Sequence, residues 1–237
     1  MKKINYFSTI GFDFNPTEGE EYLPPDYDIA PKKCIVEQDK NHMYSKCPAL
    51  KEWGKNTWIV YQPFDIEIEY ISAEKRLIGN LNQENFNTFI HLPPYWLDGE
   101  HPNVQFNHAY LFWTKEKDVW VEQVTHPLIS RYGVQVIPGT FPISVWQRPV
   151  VFGFNILDYD VNIKIPRGTP LYYVRFYSRK KDSLFSLNKE TPPKKVIQSQ
   201  KQNTRLKQYA PFASWDLIQD RLEKEDSSCP FNFLWKK

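Results

Sequence analysis

The residues best suited to chemistry lie in YWLDGEHPNVQFNH, residues 95–108, a stretch rich in carboxylates and imidazoles. Two histidines and one carboxylate hold the iron of non-haem oxygenases, which are built on a jelly roll. Such a site would draw on Glu100, His101 and His108, with His126 further along the chain. Neither His101 nor His108 has a carboxylate two residues later, as the iron motif requires. The spacing therefore favours loop histidines without a cofactor, and these four residues are the alternative metal ligands.

Nucleophilic and phosphate-binding motifs are missing from the sequence. It contains no G-x-S-x-G elbow, no G-x-x-x-x-G-K-[ST] loop and no G-x-G-x-x-G turn. Cys34, Cys47 and Cys229 are odd in number, far apart and without C-x-x-C spacing. This pattern favours reduced thiols over a disulfide scaffold or a zinc knuckle.

Aromatic residues with arginines close by in sequence are the best candidates for binding. Planar rings and guanidinium groups can together line a stacking groove for a sugar, a base or a peptide. The predicted binding residues are Trp113, Arg131, Tyr132, Trp146 and Arg148. The competing interpretation is that an antiparallel core uses aromatic side chains for packing alone.

The sequence predicts that short β-strands position these side chains. In TWIVYQPFDIEIEY, residues 57–70, apolar and acidic residues alternate after a Gln62-Pro63 corner. With a period of two, one face is buried and the other faces water or a partner. The buried set is predicted to be Phe64, Ile66, Ile68 and Tyr70, and the outward set Asp65, Glu67 and Glu69.

Similar runs recur along the chain with no amphipathic helix between them. They are FNTFIHL, HAYLFWT, DVWVEQV, YGVQVI, FPISVW, PVVFGFNI, DVNIKI and LYYVRFY. LFWTKEKDVWVEQV is predicted to be a hairpin with its tip at residues 115–117, and Pro166–Pro170 to be a corner between two strands. The pattern indicates a mainly β protein, an antiparallel sandwich of jelly-roll type with a β-clip-like fold as the alternative.

The chain is expected to divide at residue 178. Residues 1–178 would form the β-sandwich with an irregular N-terminal strap, and residues 179–237 a basic connector, a short helix and an apolar hook. From Ser178 onward there are thirteen Lys and Arg against seven Asp and Glu. A helix is predicted from Ser214, and Phe231, Phe233 and Trp235 need a surface to cover them. Residues 212–237 are therefore expected to support self-association or to bind a protein partner.

Residues 136–177 resemble the closing strands of the dUTPase and dCTP-deaminase fold, in which an Asp-Pro-Gly turn precedes two strands. Here Ile137 stands before Pro138 and Gly139, where that family has its catalytic Asp. Without a carboxylate there is no base to activate water. The resemblance implies a shared β-topology, and a nucleotide-handling function is only the third alternative.

A broader resemblance covers CPALKEWGKNTWIVYQPFDIEIEY, AYLFWTKEKDVWVEQVTHP and IPRGTPLYYVRFY. These segments are similar to an uncharacterised family of bacterial and phage proteins with a Cys-Pro segment, a PFD-x-E strand, an LF-x-T hairpin and a late GTP corner. That resemblance implies an all-β fold and a bacterial or phage origin. It supplies no activity and no site residues.

Composition limits the remaining classes of function. The 237 residues carry 30 Lys and Arg against 28 Asp and Glu, so the net charge of +2 disfavours nucleic acid as a partner. No apolar run has the length of a signal peptide or a membrane span, which favours a cytoplasmic location, the host cytoplasm for a phage protein. The sequence thus favours a non-catalytic binding or assembly protein, with a jelly-roll Fe(II)/2-oxoglutarate-type oxygenase as the alternative.

Overall fold

The computed structural model describes residues 1–8, 29–34, 47–79, 90–91, 102–180, 182–209 and 215. For residues 91, 107–109 and 205–209 it describes the backbone alone. No helix within these ranges is long and apolar enough to cross a membrane.

The first of three sheets has the strand order β14-β1-β7-β11-β9, with β6 also paired to β7. Its strands are β1 (Lys2–Ser8), β6 (Ile90–His91), β7 (Asn103–Trp113), β9 (Val134–Val136), β11 (Pro149–Ile156) and β14 (Phe185–Lys189). The β1–β14 pair is parallel and the others are antiparallel.

The second and third sheets are wholly antiparallel. The second has the order β10-β8-β13-β3-β2, and the third has the order β12-β4-β5. Their strands are β2 (Lys32–Lys33), β3 (Thr57–Tyr61), β4 (Ile66–Ile71), β5 (Arg76–Gly79), β8 (Trp120–Thr125), β10 (Gly139–Phe141), β12 (Ile163–Ile165) and β13 (Pro170–Tyr177). The helices are α1 (Pro48–Gly54), a 3-10 helix (Pro127–Tyr132) and α2 (Lys194–Tyr209).

One hydrophobic core joins the three sheets. Phe112 of β7 packs edge-on against Phe176 of β13, with ring centroids 5.2 Å apart, and Phe152 of β11 lies 5.1 Å from Tyr172 of β13. Buried isoleucines of β4 and β12 belong to the same core. The prediction of a mainly β, antiparallel, sandwich-like fold is therefore confirmed.

The predicted faces of β4 are also confirmed. Phe64, Ile66, Ile68 and Tyr70 are buried, whereas Asp65 is exposed and Glu67 and Glu69 are partly exposed. The corner at Gln62-Pro63 carries the chain from the second sheet, which contains β3, to the third, which contains β4.

The hairpin predicted at residues 115–117 is wrong. β7 belongs to the first sheet and β8 to the second, so residues 114–119 pass from one layer to the other. Asp118 has a φ of +56°, and its carboxylate accepts hydrogen bonds from Trp120 Nε1 and Ser178 Oγ. The alternation of β7 and β8 fixed which faces are buried but did not determine which strands pair.

Two further segments differ from expectation. The run predicted as a strand at residues 141–146 contributes only Phe141 to β10, and a turn follows in which Trp146 N donates to Pro142 O. The polar connector after Ser178 contains β14, paired with β1 over five residues, and the sixteen-residue helix α2.

Trp215 has a helical backbone, in agreement with a helix beginning near Ser214. The N-terminal strap up to residue 28 and the hook at 229–235 lie outside the described residues.

Candidate functional site

The 3-10 helix Pro127–Tyr132 forms one wall of a surface groove. His126 caps its N-terminus, because the Nδ1 atom accepts a hydrogen bond of 3.2 Å from Leu128 N. Gly133 ends the helix with a φ of +71°, a conformation that favours glycine. A Cβ atom there would lie 2.4 Å from Asp158 Oδ2, so any other residue would also have to displace the exposed Asp158 side chain. The two ends of the helix thereby fix the position of Arg131 and Tyr132.

The corner between β12 and β13 forms the opposite wall. Thr169 N donates to Pro166 O over 3.1 Å, and Gly168 between them has a φ of +82°. Gly168 N donates to Gln62 O and Gln62 N to Thr169 O, both at 2.8 Å. Arg167 N donates to Asp65 Oδ1 over 2.8 Å. The corner is therefore hydrogen-bonded to the segment between β3 and β4, which makes it a rigid wall.

The groove between these walls has a volume of about 300 Å³. Arginine, tyrosine, proline and backbone atoms line it, and its lining contains no carboxylate, imidazole or thiol. The lining residues are Leu128, Arg131, Tyr132, Pro166, Arg167, Gly168, Thr169 and Pro170. Among the described residues the lining thus carries two guanidinium groups and no acid, with the Asp65 carboxylate nearby at Arg167 N.

The predicted binding residues do not lie together: two of them line the groove, and the two tryptophans are buried elsewhere. Arg131 and Tyr132 line the groove. Trp113 and Trp146 are only 4% exposed, which leaves little ring surface for a ligand. Trp113 packs with Leu111 and Val196, whereas the guanidinium of Arg148 lies 5.8 Å from the Trp146 ring centroid. Arg167 was missing from the predicted set, although the sequence PRGTP marks the corner that carries it.

The predicted metal ligands do not form a cluster within the described residues. His126 Nδ1 accepts a hydrogen bond, so in the neutral ring the proton lies on Nε2. A metal ligand needs an unprotonated nitrogen with its lone pair available, and here the capping bond uses that lone pair. Glu100 and His101 lie outside the described residues, as does the side chain of His108. No group of three or more potential metal ligands occurs in the part of the chain that is described.

The Cys34 thiol lies beside Lys33, Tyr61 and Tyr173 at the edge of the second sheet. Burial raises the pKa of Cys34 above its ordinary value, and the charge of Lys33 offsets this only in part. Burial, with contributions from Cys34 and Tyr61, raises the pKa of Tyr173 to about 12. A thiol nucleophile must form a thiolate at neutral pH. Cys34 is therefore suited to packing and not to nucleophilic catalysis.

A second groove, of about 370 Å³, lies between α1 and the segment after β13. Its cations have carboxylate partners: Arg175 lies 3.6 Å from Glu122, and Lys55 is paired with Glu52. Asn56 in this groove bonds Ser183 O and Phe185 N and so holds the chain that leads into β14. The lining of this second groove includes the carboxylates of Glu52 and Asp182, whereas the described lining of the groove beside Arg131 includes none, which makes the latter the better candidate for an anionic ligand.

Trp215, which follows α2 in the sequence, packs against two aromatic rings of its own chain. Its ring lies 5.2 Å from that of Trp146 and 6.0 Å from that of Phe141, both edge-on. This contact covers Phe141 of β10 and Trp146 in the turn after it. Self-association through residues 212–237 remains a prediction.

Comparisons with known proteins add little to this description. No protein-family model matches the chain, and neither does any curated protein. A solved structure of native EIAV dUTPase is similar at 8% identity with a TM-score of 0.36, over 80% of this chain and 95% of that chain. A similarity this low carries no inference about activity.

Burial of His126 makes the stability of the protein depend on pH. Burial lowers the pKa of His126 below 6.5, so the unfolded chain binds this proton more tightly than the folded one. Stability is therefore unaffected well above pH 6.5 and is lost as pH falls through 6.5 towards the folded pKa.

The substitution His126→Asn tests this pH dependence, because it keeps an acceptor for Leu128 N and removes the imidazole that titrates. Between pH 6.5 and 5.5 we expect the wild type to lose up to about 1 kcal/mol more than this variant, measured by urea denaturation. Equal losses would show that His126 is not buried in neutral form.

Proposed function

We propose that the protein is a non-catalytic binding protein whose ligand carries an anionic group and occupies the groove between the 3-10 helix and the Pro166–Pro170 corner. The observation that supports this proposal is the placement of Arg131 and Arg167 on the two facing walls. Arginine recognises carboxylates and phosphates through several parallel N–H donors. Two arginines on opposite walls can contact one anionic group from both sides.

The lining of the groove favours binding over catalysis. General acid and base catalysis needs groups that exchange a proton near neutral pH, and none of the lining side chains is a carboxylate, an imidazole or a thiol. The Thr169 hydroxyl has no adjacent base in the lining and is mostly buried. The groove can therefore hold and orient a ligand but offers no group to transform it.

The apolar part of the lining indicates what else the ligand contains. Tyr132 packs against the core and lines the groove, and Pro166 and Pro170 line it from the corner. Gly168 adds no side chain, and a Cβ atom at that position would meet nothing within 4 Å. A small ligand with an anionic group beside a planar ring fits this surface best.

Phenyl phosphate is the simplest probe with both features, and inorganic phosphate and phenol test them separately. We expect phenyl phosphate to shift the backbone amide resonances of Arg131 and Gly168 in an NMR titration, and to bind more tightly than either fragment. Arg131→Gln should weaken its binding about tenfold, which corresponds to about 1.4 kcal/mol. Arg76→Gln is the matched control, because Arg76 is exposed on β5, is paired with Glu74 and is outside the groove.

The result that contradicts the proposal is equally specific. If Arg76→Gln weakens binding as much as Arg131→Gln, the interaction is a general effect of positive charge. If none of the three probes shifts the groove resonances at millimolar concentration, the groove does not bind anions of this class.

A further inference from the structure

Helix α2 covers the outer face of the first sheet. Val196 of α2 packs against Leu111 and Trp113 of β7, and Phe7 of β1 borders the same cluster. Leu111 and Trp113 point away from the main core, which holds Tyr110 and Phe112 from the same strand. The helix therefore shields an apolar strip that the sandwich itself leaves outside.

The side of α2 that faces the sheet is mostly polar. Val196, Gln200 and Asn203 follow at helical spacing and are the buried residues of the helix among those whose side chains are described. Gln200 is 8% exposed and Asn203 is fully buried. Gln200 Nε2 donates to Thr204 Oγ1 within the helix, and Asn203 Nδ2 donates to Val145 O over 3.2 Å. Gln200 Oε1 and Asn203 Oδ1 accept no hydrogen bond.

Two polar atoms of the sandwich near this helix are also buried without a hydrogen bond. Asn5 lies opposite Trp113 across the β1–β7 pair, and its Oδ1 atom is buried without a hydrogen bond. Arg148 Nε is also buried without an acceptor, three residues after the Val145 carbonyl that Asn203 contacts. A polar atom that leaves water without a new partner opposes burial. Among the side chains that the structure describes, docking of α2 therefore combines a small apolar gain with an unfavourable loss of hydration.

The connection to α2 allows it to move independently of the sandwich. β14 is held by its pairing with β1 and by Asn56, which bonds Ser183 O and Phe185 N. Residues 190–193 then link β14 to the helix and end in Pro192 and Pro193. The backbone contacts that hold β14 extend only to Glu190, whose N donates to Tyr6 O over 3.0 Å, so α2 can leave the sheet without loss of β14. Its departure as a unit would also release the buried Pro192 and the contact of Trp215 with Trp146 and Phe141.

We propose that α2 is a detachable cover, which leaves the sheet as a unit while the sandwich stays folded and so exposes the strip of Phe7, Leu111 and Trp113. This inference is independent of the ligand groove. Partial opening of this kind occurs in elements with few buried apolar contacts and unsatisfied polar groups.

The test uses cysteine labelling of the full chain. Val196→Cys places a thiol on the covered side of α2, and Val174→Cys places one in the central strand β13, where the residue is fully buried. Iodoacetamide can reach position 174 only after global unfolding, but it reaches position 196 whenever α2 detaches. Peptide mapping separates these sites from Cys34, Cys47 and Cys229. We expect labelling at position 196 to be at least about a hundredfold faster under native conditions.

A second substitution tests the cause of detachment. Gln200→Leu replaces the unsatisfied amide with an apolar side chain and should slow labelling at position 196 about tenfold. Gln198→Leu and Gln202→Leu make the same change at exposed positions of α2 and should leave the rate unchanged. In the unsubstituted chain, amide hydrogens of residues 194–209 should exchange at least about a hundredfold faster than those of residues 103–113.

Three results would overturn the proposal. Equal labelling rates at positions 196 and 174 would mean that α2 opens only when the whole protein unfolds. Amide exchange in α2 as slow as in β7 would mean the same without any substitution. A Gln200→Leu chain that is labelled as fast as the Gln198→Leu control, or faster, would show that the buried amide does not weaken the docking of the helix.

Discussion

Replacing Ile66 with alanine will lower the free energy of unfolding by about 2–5 kcal/mol. Ile66 is 1% exposed and lies in β4, paired with Ile165 of β12. Both belong to the core shared by the three sheets. Removal of the side chain loses apolar burial and leaves a cavity between strands that hydrogen bonds hold in place. Urea denaturation followed by fluorescence measures the loss, with an unchanged m-value as the check that the unfolded state is the same.

Glu67 provides the control at the next position of the same strand. Its carboxylate accepts hydrogen bonds from Lys164 Nζ at 3.1 Å and Asn162 Nδ2 at 3.2 Å, on the outward face. Exposed pairs of this kind contribute little to stability. We expect Glu67→Ala to cost a small fraction of the Ile66→Ala effect. Equal effects of the two substitutions would mean that the assignment of the two faces is reversed.

The faces of the strands could be predicted because side chains in a strand alternate with a period of two. A shift of one residue in β4 would place Glu67 in the core and Ile66 in water, and the sequence allows only one of these arrangements. The same reasoning holds for β13, in which Val174 and Phe176 are buried between partly exposed neighbours. The fold class follows from the recurrence of such runs.

The same alternation does not predict which strands pair with each other. β7 and β8 are adjacent in sequence and both alternate, and yet they lie in different sheets. What separates them is the conformation of residues 114–119, which depends on contacts with Ser178 and Lys180 some sixty residues away. No local pattern encodes a contact at that distance.

Helix α2 was missed for a related reason. Sequence-based detection of a buried helix relies on apolar residues at helical spacing, and the covered positions after Val196 are Gln200 and Asn203. The segment therefore reads as a polar connector. The polar face that hides the helix in the sequence is also the feature from which we infer that it detaches.

The candidate groove was predicted only in part. Arg131 and Tyr132 are adjacent in sequence and were chosen as an aromatic residue with a cation beside it. The facing wall comes from residues 166–170, which Gln62 and Asp65 hold in position. Arg167 and Arg131 line one groove because three separate segments meet there, which the sequence alone does not reveal.

Asp118 ties the segment between β7 and β8 to the segment after β13, and Asp118→Ala will destabilise the protein by about 2–4 kcal/mol. Its Oδ1 atom accepts from Trp120 Nε1 at 3.2 Å, and its Oδ2 atom accepts from Ser178 Oγ at 2.7 Å and from Lys180 N at 2.9 Å. Trp120 is almost fully buried, so its N–H has no access to water as a replacement. Alanine is also less favourable than aspartate at the φ of +56°. Asp118→Asn keeps the shape and tolerates this φ, so it should cost less than the alanine variant.

The pH dependence of these variants tests whether the charge of Asp118 is responsible. Burial by itself would raise the pKa of Asp118, but the hydrogen bonds from Ser178, Trp120 and Lys180 outweigh it and lower the pKa below 3.8. A carboxylate with a lowered pKa contributes stability that is complete above the unfolded pKa and is lost as pH falls through the folded pKa. The difference in melting temperature between wild type and Asp118→Ala should therefore be constant from pH 7 to pH 5 and should shrink below pH 3.8. If the difference persists unchanged at pH 2, the φ of residue 118 rather than its carboxylate accounts for the loss, and the position of the segment between β7 and β8 does not depend on these hydrogen bonds.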